Sequence, residues 1–242
     1  MRLRPREWVW GVAALACAAV FVRLGIWQVR RLEERRGRNA GSAARRALPP
    51  LLLGRGSVIT LDSVQNRRVL ARGTYDYSAE RLWTGRTYEG TPGVAVLTPL
   101  RLADRAGEGE RGGMATTVYV DRGWVPSPDG VHIDQLAVRE RDTATVEGLA
   151  FAAPRARGDV DIARLRDSVS YPLLPFIIQQ TRSVRPSVSP TVRPLYRWPA
   201  PVLDDGPHLS YAIQWFSFAV ITLVGTAVLL RKIASESSRT TI

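Results

Sequence analysis

Cysteine and histidine are almost absent from this 242-residue chain, which holds one cysteine, Cys17, and two histidines, His132 and His208. A lone cysteine within an apolar segment excludes a disulfide framework and a cysteine-based metal site. A zinc centre would then need carboxylates to complete three or four ligands, and no H-E-x-x-H or comparable spacing exists. The lack of C-x-x-C-H excludes covalent c-type haem by that route. No G-x-S-x-G, P-loop or G-x-G-x-x-G precedes a helix, and nothing assembles a nucleophile, a base and an oxyanion site. The residues argue for a binding or scaffolding protein and against an enzyme. Lysine is nearly missing too. Lys232 is the only one, so the net charge of +12 is carried by arginine. A nucleic-acid partner would want those arginines on one face, with stacking aromatics or a recognisable module. They are scattered, which sets nucleic acid aside, and a chain lying along anionic headgroups uses the same charge more naturally.

What the chain has is two apolar ends around a polar, arginine-rich middle. Tyr211 to Leu230 is a run of twenty residues without a formal charge, closed at once by Arg231 and Lys232. At a rise of ~1.5 Å per residue, that is the length needed to cross a bilayer core of ~30 Å. The N-terminal segment from Trp8 to Val22 is also apolar and follows a basic start. A cleaved signal peptide is one reading, with Ala16-Cys17-Ala18 as the cleavage site. The run continues through Val20-Phe-Val22, however, and Trp8, Trp10 and Trp27 bracket it as interfacial tryptophans do, which favours an uncleaved anchor.

Positive charges count both ways for orientation. Six arginines between residues 23 and 38 follow the first span, whereas Arg231, Lys232 and Arg239 follow the second. Long loops translocate largely regardless of charge. The C-terminal cluster and the basic start then place both termini in the cytoplasm and the middle outside it. The expected organisation is a cytoplasmic N-terminus over 1–7, a transmembrane helix over 8–28 and a basic helical linker over 29–47. An extracytoplasmic β-rich domain over 48–206, a second transmembrane helix over 207–230 and a cytoplasmic tail over 231–242 complete it.

The middle is a series of short strand-like runs. Arg68 to Asp76 alternates, with Val69, Ala71 and Gly73 on one face, and Arg81 to Tyr88 follows. Gly93 to Leu102 and Thr116 to Val125 read as a long hairpin across the glycine-rich stretch Ala103 to Gly113. Ala144 to Ala150, Leu173 to Thr181 and Arg193 to Trp198 read as further strands, and Asp161 to Arg166 as a short helix. Val58 to Leu61 reads as a strand or a helical turn. Gly123 reads as a bulge or a close backbone approach, in a segment taken as a strand end turning at Pro126. The fold class expected is a membrane protein, mainly β with some α, whose two transmembrane helices flank an antiparallel barrel- or sandwich-like domain.

His208 stands at the mouth of the second span, after Pro207, which suits a first helical turn. Tyr211, Ala212 and Trp215 lie at i+3, i+4 and i+7 from it. Two readings are open. His208, Tyr211 and Trp215 anchor a membrane helix at the interface, or they line a cofactor, because one imidazole suffices for one axial bond to haem iron. Arginines near the headgroups would suit the propionates of such a group.

Four motifs in order resemble the surfeit-locus family of cytochrome c oxidase assembly factors. They are Leu24-Gly-Ile-Trp-Gln-Val-Arg30, Gly93-Val-Ala-Val-Leu-Thr-Pro-Leu100, Val118-Tyr-Val-Asp-Arg-Gly-Trp-Val-Pro126 and His208-Leu-Ser-Tyr-Ala-Ile-Gln-Trp-Phe216, with Gly73-Thr-Tyr75 as a lesser match. The resemblance spans nearly the whole chain. It implies two membrane helices around a β-rich domain outside the cytoplasm of a bacterial cell, and a chaperone role in building the respiratory haem-copper oxidase. It also implies transient haem a binding through the histidine of the last motif, here His208, as axial ligand to the iron. The partners it implies are the membrane and the oxidase catalytic subunit, with haem a synthase as a candidate donor. A non-haem protein–protein scaffold, or a stable accessory subunit of the oxidase, is the alternative. The chain departs from the family pattern at Pro207 and Asp121, both positions where asparagine is usual. Glu33-Glu34-Arg35 also stands where a lysine or tryptophan is frequent.

Overall fold

The computed structural model describes residues 5–55, 59–104, 116–152, 169–183 and 195–239. They form two compact units, one made of the chain up to Gly41 together with the chain from Leu203 onward, the other running from Ser42 to Val202.

The first unit is a pair of helices. Helix α1 runs unbroken from Pro5 to Ala47 and stops where Leu48 meets Pro49-Pro50, because the residue before a proline is pushed out of helical geometry. The C-terminal helix runs from His208 to Arg239. Both are long and apolar enough to cross a membrane, with mean hydropathy of 2.1 and 2.0 in their most apolar windows. Val12, Leu15, Ile221 and Val224 are among the many apolar side chains that face outward rather than into a core. The buried seam is made of small residues: Ala14 and Ala18 on α1, Ala212 and Ala219 on its partner. Small side chains let two backbones approach where lipid offers no hydrophobic drive. Gly25 is part of that seam, since a Cβ there would come within 2.7 Å of the Phe216 ring.

The second unit is β-rich. Its strands are β1 (Leu51–Leu53), β2 (Arg68–Tyr75), β3 (Arg81–Tyr88), β4 (Thr91–Leu102), β5 (Thr117–Pro126), β6 (Thr143–Ala152) and β7 (Leu173–Ser183). A four-residue helix, α2 (Leu61–Val64), precedes β2, and the C-terminal helix is therefore α3. The sheet order is β1-β2-β6-β7-β5-β4-β3, with an added β2–β4 pairing. That extra pairing closes β2, β6, β7, β5 and β4 into a five-stranded barrel, leaving β1 and β3 as extensions. Most pairs are antiparallel, including the expected β4–β5 hairpin, but β1–β2 and β5–β7 are parallel. Val69, Ala71, Leu100, Val118, Val146 and Phe176 fill the interior.

Closure depends on Gly73. It pairs with Leu102 at the β2–β4 seam, and a Cβ there would fall 2.1 Å from the Arg101 carbonyl oxygen. The obstacle is backbone, which cannot swing aside. Gly73→Ala is expected to destabilise the barrel by about 1–3 kcal/mol, the range for forced overpacking. The thermal midpoint of the full chain would then fall by several degrees, and an unchanged midpoint would contradict this account of the seam.

Arg193 to Trp198 was expected to be a strand, but its described part makes only an isolated bridge, Trp124 with Tyr196. Pro199 and Pro201 close behind it and withhold the donors a longer ladder needs. The helix expected over Asp161 to Arg166 lies outside the described residues, as does Val58, while Leu61 opens α2.

Candidate functional site

The start of α3 is shaped by two residues before it. Gly206 takes a φ of +64°, a left-handed conformation open to glycine at little cost. Pro207 then supplies the first helical carbonyl, which accepts from the Tyr211 N–H at 3.1 Å. His208 follows as the first residue of α3. Its Nδ1 lies 2.9 Å from Oε1 of Gln28 on α1. An amide oxygen can only accept, so the pairing places the proton on Nδ1 and leaves the lone pair on Nε2. This is the tautomer and the fixed ring orientation that a metal-ligating histidine needs, with its second nitrogen held by a carbonyl. Pro207 therefore does not prevent His208 from being held.

Trp215 and Tyr211 part company in the structure. Trp215 turns toward α1 and stacks on Phe21, with centroids 5.8 Å apart and an interplanar angle of 26°. Phe218 completes that cluster against both rings. Tyr211 is 45% exposed. Gln28 is only 9% exposed and belongs to the first motif, so the first and fourth motifs meet at His208. Sequence reasoning missed Gln28 as the histidine's partner, because 180 positions separate the two. Among the described residues, no three His, Cys, Asp or Glu side chains group closely enough to hold a bare metal ion. The donor set fits an iron already carried by a macrocycle, which needs only one imidazole from the protein.

In the β-rich unit the third motif does something its residue types did not announce. The β4–β5 register shifts between Val96 and Leu97, which pair with Gly123 and Asp121, so Arg122 is the extra residue of a bulge. Gly123 has a φ of +132° and lies so close to the chain that a Cβ would meet the Tyr196 carbonyl oxygen at 2.5 Å. The bulge breaks the strand's alternation and buries two successive charged residues, Asp121 at 3% and Arg122 at 0% exposure.

Arg122 is paired on every side. Its Nη1 lies 2.9 Å from Glu80 and its Nε 3.2 Å from Glu140, while Nη2 donates to the Val138 carbonyl. Glu80 also accepts from the Thr98 hydroxyl at 2.6 Å. Arg197 bonds Glu140 and the Arg122 carbonyl. A cleft of about 580 Å³ lies alongside, lined by Tyr75, Asp76, Tyr77, Glu80, Gln135 and Arg139 among others. The cluster ties the approach to β3, β4, β5 and the segments around 138, 140 and 197 to one guanidinium. It pins the domain together.

Among the described residues, Asp121 has no such cation in ion-pair contact. Its carboxylate accepts from the Gly123 N–H at 3.1 Å and the Trp198 indole at 3.2 Å. Burial pushes its carboxyl up to about 7, against those two hydrogen bonds and the charges of Arg86 and Arg197, which lower it. At low pH the carboxyl is protonated both folded and unfolded and adds nothing. Between about 4, the unfolded value, and about 7, only the unfolded chain releases the proton, so stability falls as pH rises and the loss is complete above that window. Asp121→Asn can keep both accepted bonds on Oδ1. It is expected to raise the thermal midpoint at pH 8 while leaving it nearly unchanged at pH 4. A midpoint difference independent of pH would contradict this.

The model of the SURF1 family matches residues 15–220. A SURF1-like protein of Monosiga brevicollis is 26% identical over 242 aligned residues, covering 93% of this chain and 89% of the relative. Uncharacterized SURF1-like proteins of Mycobacterium bovis and Mycobacterium tuberculosis are 30% identical over 169 residues, covering 66% of this chain and 58% of their own length.

Proposed function

The chain belongs to the SURF1 family, the surfeit-locus assembly factors of cytochrome c oxidase, and we propose that it serves that assembly by holding haem a transiently at His208. The observation that carries this reading is the 2.9 Å contact between His208 Nδ1 and Gln28 Oε1. It presents one imidazole nitrogen, fixed in orientation, at the end of an apolar helix. Haem a, as cargo, brings its own iron, and the protein's share is a single weakly competing ligand that can be given up on transfer. Gln28 holds the ring so that no rotamer search precedes binding. The paired apolar helices, with Phe21, Trp215 and Phe218 between them, offer a lipid-side surface for the farnesyl tail. No bond of the cargo is broken, so the role is that of a chaperone rather than a catalyst.

The rest of the proposal follows from the same helices. Arg231 and Lys232 close the second span, which favours a cytoplasmic C-terminus and a β-rich domain outside the cytoplasm of a bacterial cell. The recipient is the oxidase catalytic subunit and the donor haem a synthase. The test is to co-express the protein with haem a synthesis enzymes, purify wild type and His208→Ala, and compare haem content. Equal haem in both overturns the assignment. Stoichiometric copurification with the oxidase and no haem in either would support the scaffold reading instead.

A further inference from the structure

We propose that Arg35 and Arg36 form a seat for the two carboxylates of an amphiphilic dicarboxylate, held closed in the free protein by Asp204 and Asp205. The inference deepens the haem reading and rests on it for the identity of the ligand, a porphyrin bearing two propionates. Positions 28, 32, 35, 36 and 39 share one face of α1. Gln28 meets His208, Leu32 is buried at 5% exposure, and the next three side chains reach the segment that leads into α3. Arg35 donates from Nε to the Asp204 carbonyl at 2.8 Å and from Nη2 to its carboxylate at 2.5 Å. Arg36 donates from Nε and Nη2 to one oxygen of Asp205, at 2.9 and 2.7 Å. Asn39 adds a bond to the Asp204 carbonyl at 2.6 Å.

Two features make this more than a helix-to-loop contact. Neither guanidinium uses its fork on both oxygens of a carboxylate, the arrangement in which such pairs are strongest. An incoming carboxylate could form it. Both pairs are also exposed, with the Arg35 and Arg36 side chains 37% and 56% accessible, and exposed pairs exchange readily. Their place relative to His208 is the second feature. The Arg35 guanidinium lies so near Gly206 that a Cβ there would approach it to 3.1 Å, two residues before the histidine. Arg35 is seven positions beyond Gln28 on α1, about 10 Å along the axis, a span of the order of that from the centre of a porphyrin to its edge carboxylates. Arg31, by contrast, is bound to Glu34 on its own helix. The Asp204 and Asp205 carboxylates thus occupy the place of the ligand's, and binding exchanges one pair of carboxylates for the other.

The test uses the full chain in nanodiscs of uncharged-headgroup lipid, titrated with metal-free protoporphyrin IX and with its dimethyl ester, followed by porphyrin fluorescence. Without iron, His208 plays no part, so the outcome is separate from that of the axial-ligand assignment. Wild type is expected to bind the diacid more tightly than the ester. Arg35→Gln/Arg36→Gln is expected to weaken diacid binding about tenfold or more, as for loss of charge-assisted bonds, and to leave ester binding unchanged. Asp204→Asn/Asp205→Asn, which can keep the Asp204 bond to the Gly206 N–H, is expected to tighten diacid binding several-fold. Arg35→Lys/Arg36→Lys, keeping charge but losing the fork, is expected to fall between wild type and the glutamine variant. Equal affinity for diacid and ester in wild type would overturn the proposal. So would unchanged diacid binding in the glutamine variant, or weaker binding in the asparagine variant, which would make the pairs structural only.

Discussion

Replacing Arg122 by methionine is expected to destabilise the β-rich unit by about 3–5 kcal/mol, the usual consequence of removing one partner from a buried ion pair. The side chain is fully buried, and Glu80, its nearest carboxylate, is itself only 4% exposed. Deleting the guanidinium leaves the Glu80 carboxylate without its counter-charge in a poorly solvated place, leaves Glu140 with Arg197 alone, and leaves the Val138 carbonyl without its donor. Arg122→Lys is expected to lose most of the same stability, because an ammonium cannot reach three acceptors in the plane of a fork. The double change Arg122→Met/Glu80→Gln should recover a good part of the loss, since the stranded charge goes with the guanidinium while Glu140 keeps Arg197. Thermal unfolding of the full chain in detergent, followed by near-ultraviolet circular dichroism, measures all three. A loss under about 1 kcal/mol for Arg122→Met, or no recovery in the double variant, would contradict the role given to this cluster.

Arg122 also shows where sequence reasoning stopped. An Asp-Arg pair ahead of a glycine and a proline has the look of a strand end turning into solvent. The burial follows from a bulge opposite Val96 and Leu97, and Gly123 was its only local sign. Strand positions themselves were legible, because alternation such as Val69, Ala71 and Gly73 on one face is a local property. Barrel closure was not, since β2 meets β4 and β5 meets β7 through contacts between distant segments. The same limit explains the helix pair. His208 stood out by its address at the mouth of an apolar run, yet Gln28 could be joined to it only in three dimensions. Asp204 and Asp205 carry no local sign of a partner, because Arg35 and Arg36, which hold them, lie 169 positions away in the chain.

The second large effect is expected at His208. Its replacement by alanine removes the imidazole to which the proposed function assigns the iron, while the rest of α3 and the stacked Phe21–Trp215 pair remain. Gln28→Leu should act on the same property more weakly. The ring keeps its nitrogens but loses the acceptor that fixes it, and affinity is expected to drop by about 10- to 100-fold, as for other groups that orient a metal ligand. His208→Gly leaves room for free imidazole, which should restore the wild-type spectrum when added. A variant that had lost its fold would not respond.

The most direct measurement is the Soret absorbance per mole of protein purified from cells making haem a, wild type against His208→Ala. The account predicts a haem band in the wild type that is largely lost in the variant and returns to His208→Gly with imidazole. A band of equal height and position in wild type and His208→Ala would contradict it.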